Sequence, residues 1–311
     1  MTSDGLSSCP ACGDTVSTQV GQPATGFNSV IAGETFHQPA YSIRCCTSCG
    51  LYFKSHTLTP ELLTAYYARL ESATFEVDDN FPTDQIARDA LTRLPDGSRV
   101  LDFGCSTGRI LKGHAGRLHC VGVEPNAAAA AIARERGIRI VTEQELRDGR
   151  TGDFDAILLA DVYEHLSHPV AVSEMLAARL KPGGWLAIVT GNADAIHTKQ
   201  FIGEYWYFRL PDHLLMLSER HVPWLAHRVG LTVRAMHRCS HYDTPVTQRI
   251  VPWVRSFAYH EFRSSRGGLV ASALRLVPGL RRAEHWPSAP ALMYTKDHVV
   301  VVLQKPRCMD S

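Results

Sequence analysis

Four cysteines are spaced for metal chemistry. Cys9-Pro-Ala-Cys12-Gly and Cys46-Thr-Ser-Cys49-Gly are two Cys-x-x-Cys knuckles, each trailed by a glycine that lets backbone N–H groups turn toward the thiolates. Together they supply four soft ligands, the closed tetrahedral set of a structural zinc site. Cys45 is a spare thiol beside the second knuckle, and Cys46 rather than Cys45 keeps the spacing. One such pair leaves redox chemistry open, whereas two favour a metal. The stretch between them holds turn formers and a few β-formers and is too weakly apolar to hold a core alone, so the metal is expected to supply folding free energy. No further group suggests an open coordination position, which points to a structural rather than a catalytic site.

A second chemical stretch is Arg99-Val-Leu-Asp-Phe-Gly-Cys-Ser-Thr-Gly-Arg-Ile110. Val100, Leu101 and Phe103 read as a short buried strand, Gly104 and Gly108 bracket a tight loop, and Ile110 and Leu111 resume an apolar pattern as a helix would. Such a turn lets backbone N–H groups approach a ligand closely. The dinucleotide fingerprint is not met, because Ser106 and Arg109 occupy two of its glycine positions. What stands is Asp102-x-Gly104-x-x-x-Gly108. Leu118–Val123 reads as the next strand, closed by Glu124. Its carboxylate suits two roles, accepting both ribose hydroxyls of an adenosine or favouring the N-terminus of the helix Ala127–Arg136. Both can hold at once.

Proton chemistry is offered further on. Asp153–Asp161 reads as a strand flanked by acids, followed by Val162 and His165, and ligands sit outside the carboxyl ends of parallel strands, which places Asp161, Val162 and His165 near a site. His165, at a helix start, reads first as a structural hydrogen-bonding residue. Gly203-Glu-Tyr-Trp-Tyr-Phe-Arg-Leu-Pro-Asp-His-Leu214 is aromatic-rich and carries Tyr205, Trp206, Tyr207, Asp212 and His213. A histidine with a pKa near 7 suits removal of a proton from an acceptor. The alternative is that His213 holds a loop or caps the helix after Ser218.

The order of these motifs resembles the class I S-adenosylmethionine-dependent methyltransferases. Asp102-x-Gly104-x-x-x-Gly108 looks like their motif I, with Ser106 replacing the usual middle glycine. Leu180-Lys-Pro-Gly-Gly-Trp185 before an apolar strand is among the family's most specific marks, and the matching segments cover about 90 residues in order. Asp212-His213-Leu214 through Ser218 is similar to the acceptor-side segment of zinc-containing sugar methyltransferases, where the histidine accepts a proton. The resemblance implies S-adenosylmethionine held by Asp102, Gly104, Cys105, Gly108, Glu124, Asp161 and Val162. It implies catalysis at His213, Tyr207 and Asp212, and structural Zn2+ on Cys9, Cys12, Cys46 and Cys49. The acceptor is then a small molecule: a sugar, a sugar nucleotide or a natural-product intermediate. Two alternatives remain at this stage, an RNA methyltransferase whose zinc module grips RNA and a non-catalytic cofactor-binding partner subunit.

The elements that must position these groups alternate β and α, which argues a parallel sheet with helices on both faces. The expected fold is α/β: a Rossmann-like seven-stranded methyltransferase sheet plus a small N-terminal zinc-binding module. Residues 1–57 form the module and 58–97 a helical connector or lid. There Leu62, Leu63, Tyr66, Tyr67 and Leu70 share one helix face, and a second helix runs from about Thr83 to Leu94. Residues 98–311 form the methyltransferase domain, with a final antiparallel strand at Asp297–Leu303. Within it, 240–296 is an insertion of two amphipathic helices, Val251–Phe262 and Leu269–Leu280. These carry Arg249, Arg255, Arg263, Arg266, Arg275, Arg281 and Arg282, and the expectation is a helical pair packed on the sheet with solvated arginines.

The 311 residues are 45% hydrophobic with a formal net charge of +1, which gives no lean toward nucleic acid or an anionic membrane. The polar start and the lack of any long apolar run lead to the expectation of a soluble cytoplasmic protein.

Overall fold

The computed structural model describes residues 5–31, 33–69, 81–195, 199–263, 268–286, 290, 292 and 295–307. Leu70 and Arg266, both singled out above, lie outside the described residues.

The N-terminal part is built from β1 (Ser17–Ala24), β2 (Phe27–Ile31), β3 (Glu34–Gln38), β4 (Tyr41–Cys46) and β5 (Tyr52–Lys54). β2 and β3 form a hairpin of their own, while β1, β4 and β5 lie side by side in an antiparallel sheet. The helices Pro60–Arg69 and Pro82–Thr92 follow, close to the expected limits. In the first, Leu63 and Tyr66 are buried, and Leu62 and Tyr67 pack against the same core.

The central sheet uses β6 (Arg99–Phe103), β7 (His119–Val123), β8 (Arg139–Val141), β9 (Phe154–Ala160) and β10 (Leu180–Gly191). Then come the short β11 (Leu215–Met216), β12 (Thr232–Cys239) and β13 (His298–Gln304). Its seven strands run in the order β12-β13-β10-β9-β6-β7-β8. The five from β10 to β8 are parallel, and β13 lies antiparallel between β10 and β12, as the resemblance implied. Strand alternation sends neighbouring residues to opposite faces. Leu101 therefore enters one apolar core and Val100 a second, each roofed by helices. One edge of the sheet gathers the ends of β6, β7, β9, β10 and β12 with the start of β13, and the candidate site stands there.

Two expectations are corrected. No regular helix begins at Ile110: residues 104–117 form successive turns closed by Lys112 N–H to Gly108 O (2.9 Å) and His114 N–H to Leu111 O (2.8 Å). Gly113 and Gly116 explain this, since each glycine weakens a helix by roughly 1 kcal/mol relative to alanine. The insertion is also not a pair of helices packed along the sheet. Its helices run Val246–Arg263 and Leu269–Arg275, and the C-terminal half of the first places Ala258 and Tyr259 with Ala283 in a small core of their own, against which Leu274 of the second packs. Val246, Ile250, Trp253 and Phe257, at helical spacing, are exposed instead.

Candidate active site

The loop after β6 is shaped by glycines that nothing else could replace. Gly104 and Gly108 adopt φ of +81° and +78°. A Cβ on Gly104 would lie 2.4 Å from Val162 Cγ2, and one on Gly108 would lie 2.1 Å from Ile138 Cδ1. Both positions need a left-handed backbone and a close approach that only glycine permits. Ser106 also sits at positive φ, and its N–H donates to Glu124 Oε2 at 2.9 Å. The other oxygen, Glu124 Oε1, accepts the Asn126 N–H at 2.7 Å. Glu124 thus clamps the loop to the exit of β7 and precedes the helix Ala127–Glu135, whose N-cap is Asn126. Each carboxylate oxygen carries a further lone pair for a ligand.

Asp102 lies beneath the loop with Oδ1 buried and unbonded, and burial raises its carboxyl to about 7. The Cys105 thiol is buried and pushed up by desolvation, so it fills space as a neutral group. A Cβ on Gly122 would meet its Sγ at 2.5 Å, so thiol and glycine fit together. Asp161 adopts φ +53°, an uncommon conformation for a residue with a side chain. Its Oδ2 is 3.4 Å from Arg109 Nη2, while Arg109 Nε is 3.1 Å from Asp84 Oδ2. Arg109, read in the sequence only as a missing glycine, therefore bridges two carboxylates at the site.

His213 is at the centre of an aromatic cage. Its ring stands 4.2 Å from that of Tyr207 and 4.7 Å from that of His165, edge-on to both. Burial, with positive charge from His165 and Lys54 close by, holds its imidazole well below the ordinary value, and Nδ1 has no hydrogen-bond partner. Asp212 does not pair with His213. Its carbonyl oxygen lies 3.0 Å from His165 Nδ1, and its Oδ2 lies 3.4 Å from the same atom. Burial opposes a charged His165, but the carboxylates of Asp212 and Glu164 outweigh it and raise the pKa. Tyr207 arrives by its ring and not its hydroxyl, which accepts the Gly191 N–H and shares a hydrogen bond with Thr190 Oγ1, each at 3.0 Å.

Three groups escaped the sequence reading. His241 and His298 join Asp161 at the same sheet edge, one ligand atom of each lying within 4.8 Å of the others. Lys54 is fully buried, donates from Nζ to Leu210 O at 2.7 Å, and is lowered to about 7 by burial. Nothing in the local sequence signalled them, because only the sheet order joins these positions.

The four knuckle cysteines come together as expected. Cys9 Sγ is 3.5 Å from Cys49 Sγ, and Cys12 Sγ is 3.5 Å from Cys46 Sγ. A tetrahedron of ~2.3 Å zinc–sulfur bonds has edges of roughly 3.8 Å, so the donor set fits that ion closely. Cys45 Sγ lies instead near the carbonyls of Cys46 and Gly50, outside the set.

Comparison with known proteins bears on this edge of the sheet. The profile of the family described as "Methyltransferase domain" matches residues 78–236, just over half of the chain. The chain belongs to that methyltransferase-domain family. The matched methyltransferase domain contains the glycine loop, Glu124, Asp161, His165 and His213. A ubiquinone biosynthesis O-methyltransferase of Alkalilimnicola ehrlichii is 32% identical over 106 residues, covering 31% of this chain and 43% of that protein. The enzyme of the same name from Aeromonas salmonicida is 28% identical over 155 residues, covering 45% of this chain and 65% of that one. The chain thus spans less than two thirds of either relative. Among solved structures, a Bacillus halodurans C-125 chain, itself only provisionally assigned as a methyltransferase, superposes with a TM-score of 0.51. It is 14% identical and covers 72% of this chain and 99% of that one, which supports the fold of the methyltransferase domain.

Proposed function

We propose that the protein transfers a methyl group from S-adenosylmethionine to a hydroxyl oxygen of a small-molecule acceptor, with His213 taking the proton. The observation that carries this reading is a buried histidine with an unpartnered Nδ1 and a pKa held low, within the segment matched by the methyltransferase-domain family that also contains the glycine loop. The O-methyltransferase relatives support oxygen as the acceptor atom. A sugar or natural-product acceptor, implied by the Asp212-His213 segment, is the finer form of the same proposal.

S-adenosylmethionine, when bound, supplies a methyl group on a positively charged sulfur. The residues that would hold it are Gly104, Cys105 and Gly108 through the loop backbone, Glu124 at the ribose, and Asp102, Asp161 and Val162 around them. His213 enters the reaction deprotonated because burial and the charge of its neighbours disfavour its cationic form, which places its pKa below the value near 7 expected from the sequence and makes it a weaker base that relies on position. Its Nδ1 would receive the acceptor proton as the acceptor oxygen is methylated. His165, held by Asp212, keeps the cage in place, and Tyr207 fixes the His213 ring through contact with its own. Alignment of donor and acceptor contributes most of the rate, with ~7–11 kcal/mol available in favourable intramolecular cases.

Zn2+ on Cys9, Cys12, Cys46 and Cys49 has a structural role in this reading. The division into a metal module (1–57), a helical connector (58–97) and a catalytic part (98–311) belongs to the same proposal.

Calorimetric titration with S-adenosylhomocysteine tests it. Glu124→Ala removes a charge-assisted contact worth ~1.5–3 kcal/mol, so affinity should fall at least tenfold. No binding to the zinc-replete wild type would overturn the reading.

A further inference from the structure

Among the described residues, the groups at the edge of the sheet divide into two clusters, and they differ in how many donors are engaged by the protein itself. In the cluster of Glu164, His165 and His213, Glu164 Oε2 accepts the Thr190 hydroxyl at 2.8 Å and His165 Nδ1 faces the Asp212 carbonyl. Those two residues are already engaged. In the cluster of Asp161, His241 and His298 fewer are engaged. Asp161 Oδ1 and His241 Nδ1 are buried without a hydrogen-bond partner, while His298 Nδ1 faces the Asp297 carboxylate and leaves Nε2 as the nitrogen for a ligand.

Ordinary core packing does not account for this. The His241 and His298 rings stack 4.4 Å apart, and Phe81 stacks on the outer face of His241 at 4.5 Å. Imidazoles used only as flat apolar filler would strand polar nitrogens, at a cost that apolar rings of similar shape avoid. His298 is 2% exposed and lies at the first position of β13, where the sheet leaves its side chain little freedom. Asp297, 1% exposed, brings Oδ2 to 3.4 Å from His298 Nδ1. A carboxylate behind a histidine is the arrangement that orients a metal-bound imidazole and selects its tautomer. Asp161 reaches the cluster from the strained backbone noted above, and strain of that kind persists where surroundings impose it.

We propose that Asp161, His241 and His298 form a binding site for a first-row divalent cation, separate from the four cysteines. Two imidazoles and one carboxylate suit such a cation and leave coordination positions open. The site adjoins the cage of the proposed reaction: the Tyr207 ring has both His213 and His298 as ring neighbours, at centroid distances of 4.2 Å and 6.0 Å. A cation held there would favour acceptors with two neighbouring oxygen donors, orienting one toward the methyl donor. That acceptor preference rests on the methyltransferase reading, whereas the metal site does not.

The test is Co2+ titration of the full chain with zinc already on its cysteines, followed by visible absorption without S-adenosylmethionine. Co2+ stands below zinc in affinity for a given site, thiolate sites included, so zinc already on the four cysteines should stay there. The expected result is one further equivalent of Co2+, with ligand-field bands and no thiolate charge-transfer band. Its affinity should fall at least tenfold in both His241→Gln and Asp161→Asn and stay within twofold of wild type in His213→Gln. His241 is less buried than His298, which makes it the safer position to change, and circular dichroism checks that each variant is folded. The proposal is overturned if no Co2+ binds beyond the cysteine site. It is also overturned if folded His241→Gln and Asp161→Asn both retain wild-type affinity, or if His213→Gln loses it. Because no methyl donor is present, failure of the methyl-transfer reading would leave this result intact.

Discussion

The edge of the His213 ring meets the Tyr207 ring at a centroid distance of 4.2 Å, while the Tyr207 hydroxyl faces away and accepts the Gly191 N–H. One side chain thus ties the end of β10 to the proposed proton acceptor. Tyr207→Phe keeps the ring contact and leaves a buried N–H unpaired, at ~1–3 kcal/mol. Denaturant unfolding should show that loss of stability, while turnover of the folded variant should stay near wild type.

His213→Ala removes the proton acceptor itself. Loss of a general base costs ~10²–10⁴-fold in rate. The turnover number should fall by that order while S-adenosylhomocysteine affinity, measured by calorimetry, changes less than threefold. An acceptor already ionised at the assay pH should lose much less.

Gly104→Ala forces a methyl group against Val162 at a backbone angle costly to any residue with a Cβ, ~1–2 kcal/mol before the clash is counted. Cofactor binding should fall sharply in the same calorimetric assay. Gly104→Ala with Val162→Ala should recover part of it, because the clash is relieved and the backbone cost is not.

Asp102 gives a pH signature. Its folded pKa, about 7 through burial, lies above the ~3.9 of an unfolded aspartate. Between those values the native state binds more protons than the unfolded one, so this group's contribution to stability declines as pH rises from about 4 to 7. Asp102→Asn should flatten that slope in unfolding free energies measured across the window. An identical slope in the variant would count against the buried carboxyl.

Metal removal should act on the acceptor side more than on the cofactor. His221 Nδ1 lies 3.1 Å from the Cys49 carbonyl, and Ser218 donates to the Gly50 carbonyl at 2.7 Å. The second knuckle therefore braces the segment just after His213. A strong chelator should lower the thermal midpoint and reduce turnover severalfold, with a smaller effect on S-adenosylhomocysteine affinity.

Much of this architecture was readable in advance because its signals are local. Continuous apolar runs marked β6, β7, β9 and β10, glycine spacing marked the loop, and the doubled Cys-x-x-Cys marked the four thiols. Pairing across long stretches was not readable. Asp212 immediately precedes His213 in the sequence, yet in space it serves His165, which reads from the sequence first as structural. His241 stands at the start of the insertion and His298 just after its end, and they meet because β12 and β13 are antiparallel partners, with Cys239 opposite His298. The insertion itself misled for a physical reason: amphipathic spacing shows that a helix has an apolar face, but not that the sheet will cover it.

The two-residue strand β11 has a consequence for how the chain must be handled. Leu215 pairs with Phe53 and Met216 with Tyr52, so the sheet bearing the second knuckle borrows its last strand from beyond His213. Contacts so distant in sequence close late in folding. The cysteine-bearing sheet thus cannot be completed until five of the seven strands of the central sheet have been synthesised. A fragment cut at the apparent boundary near residue 58 would leave one piece with an unpaired edge and the other without a floor beneath its acceptor side.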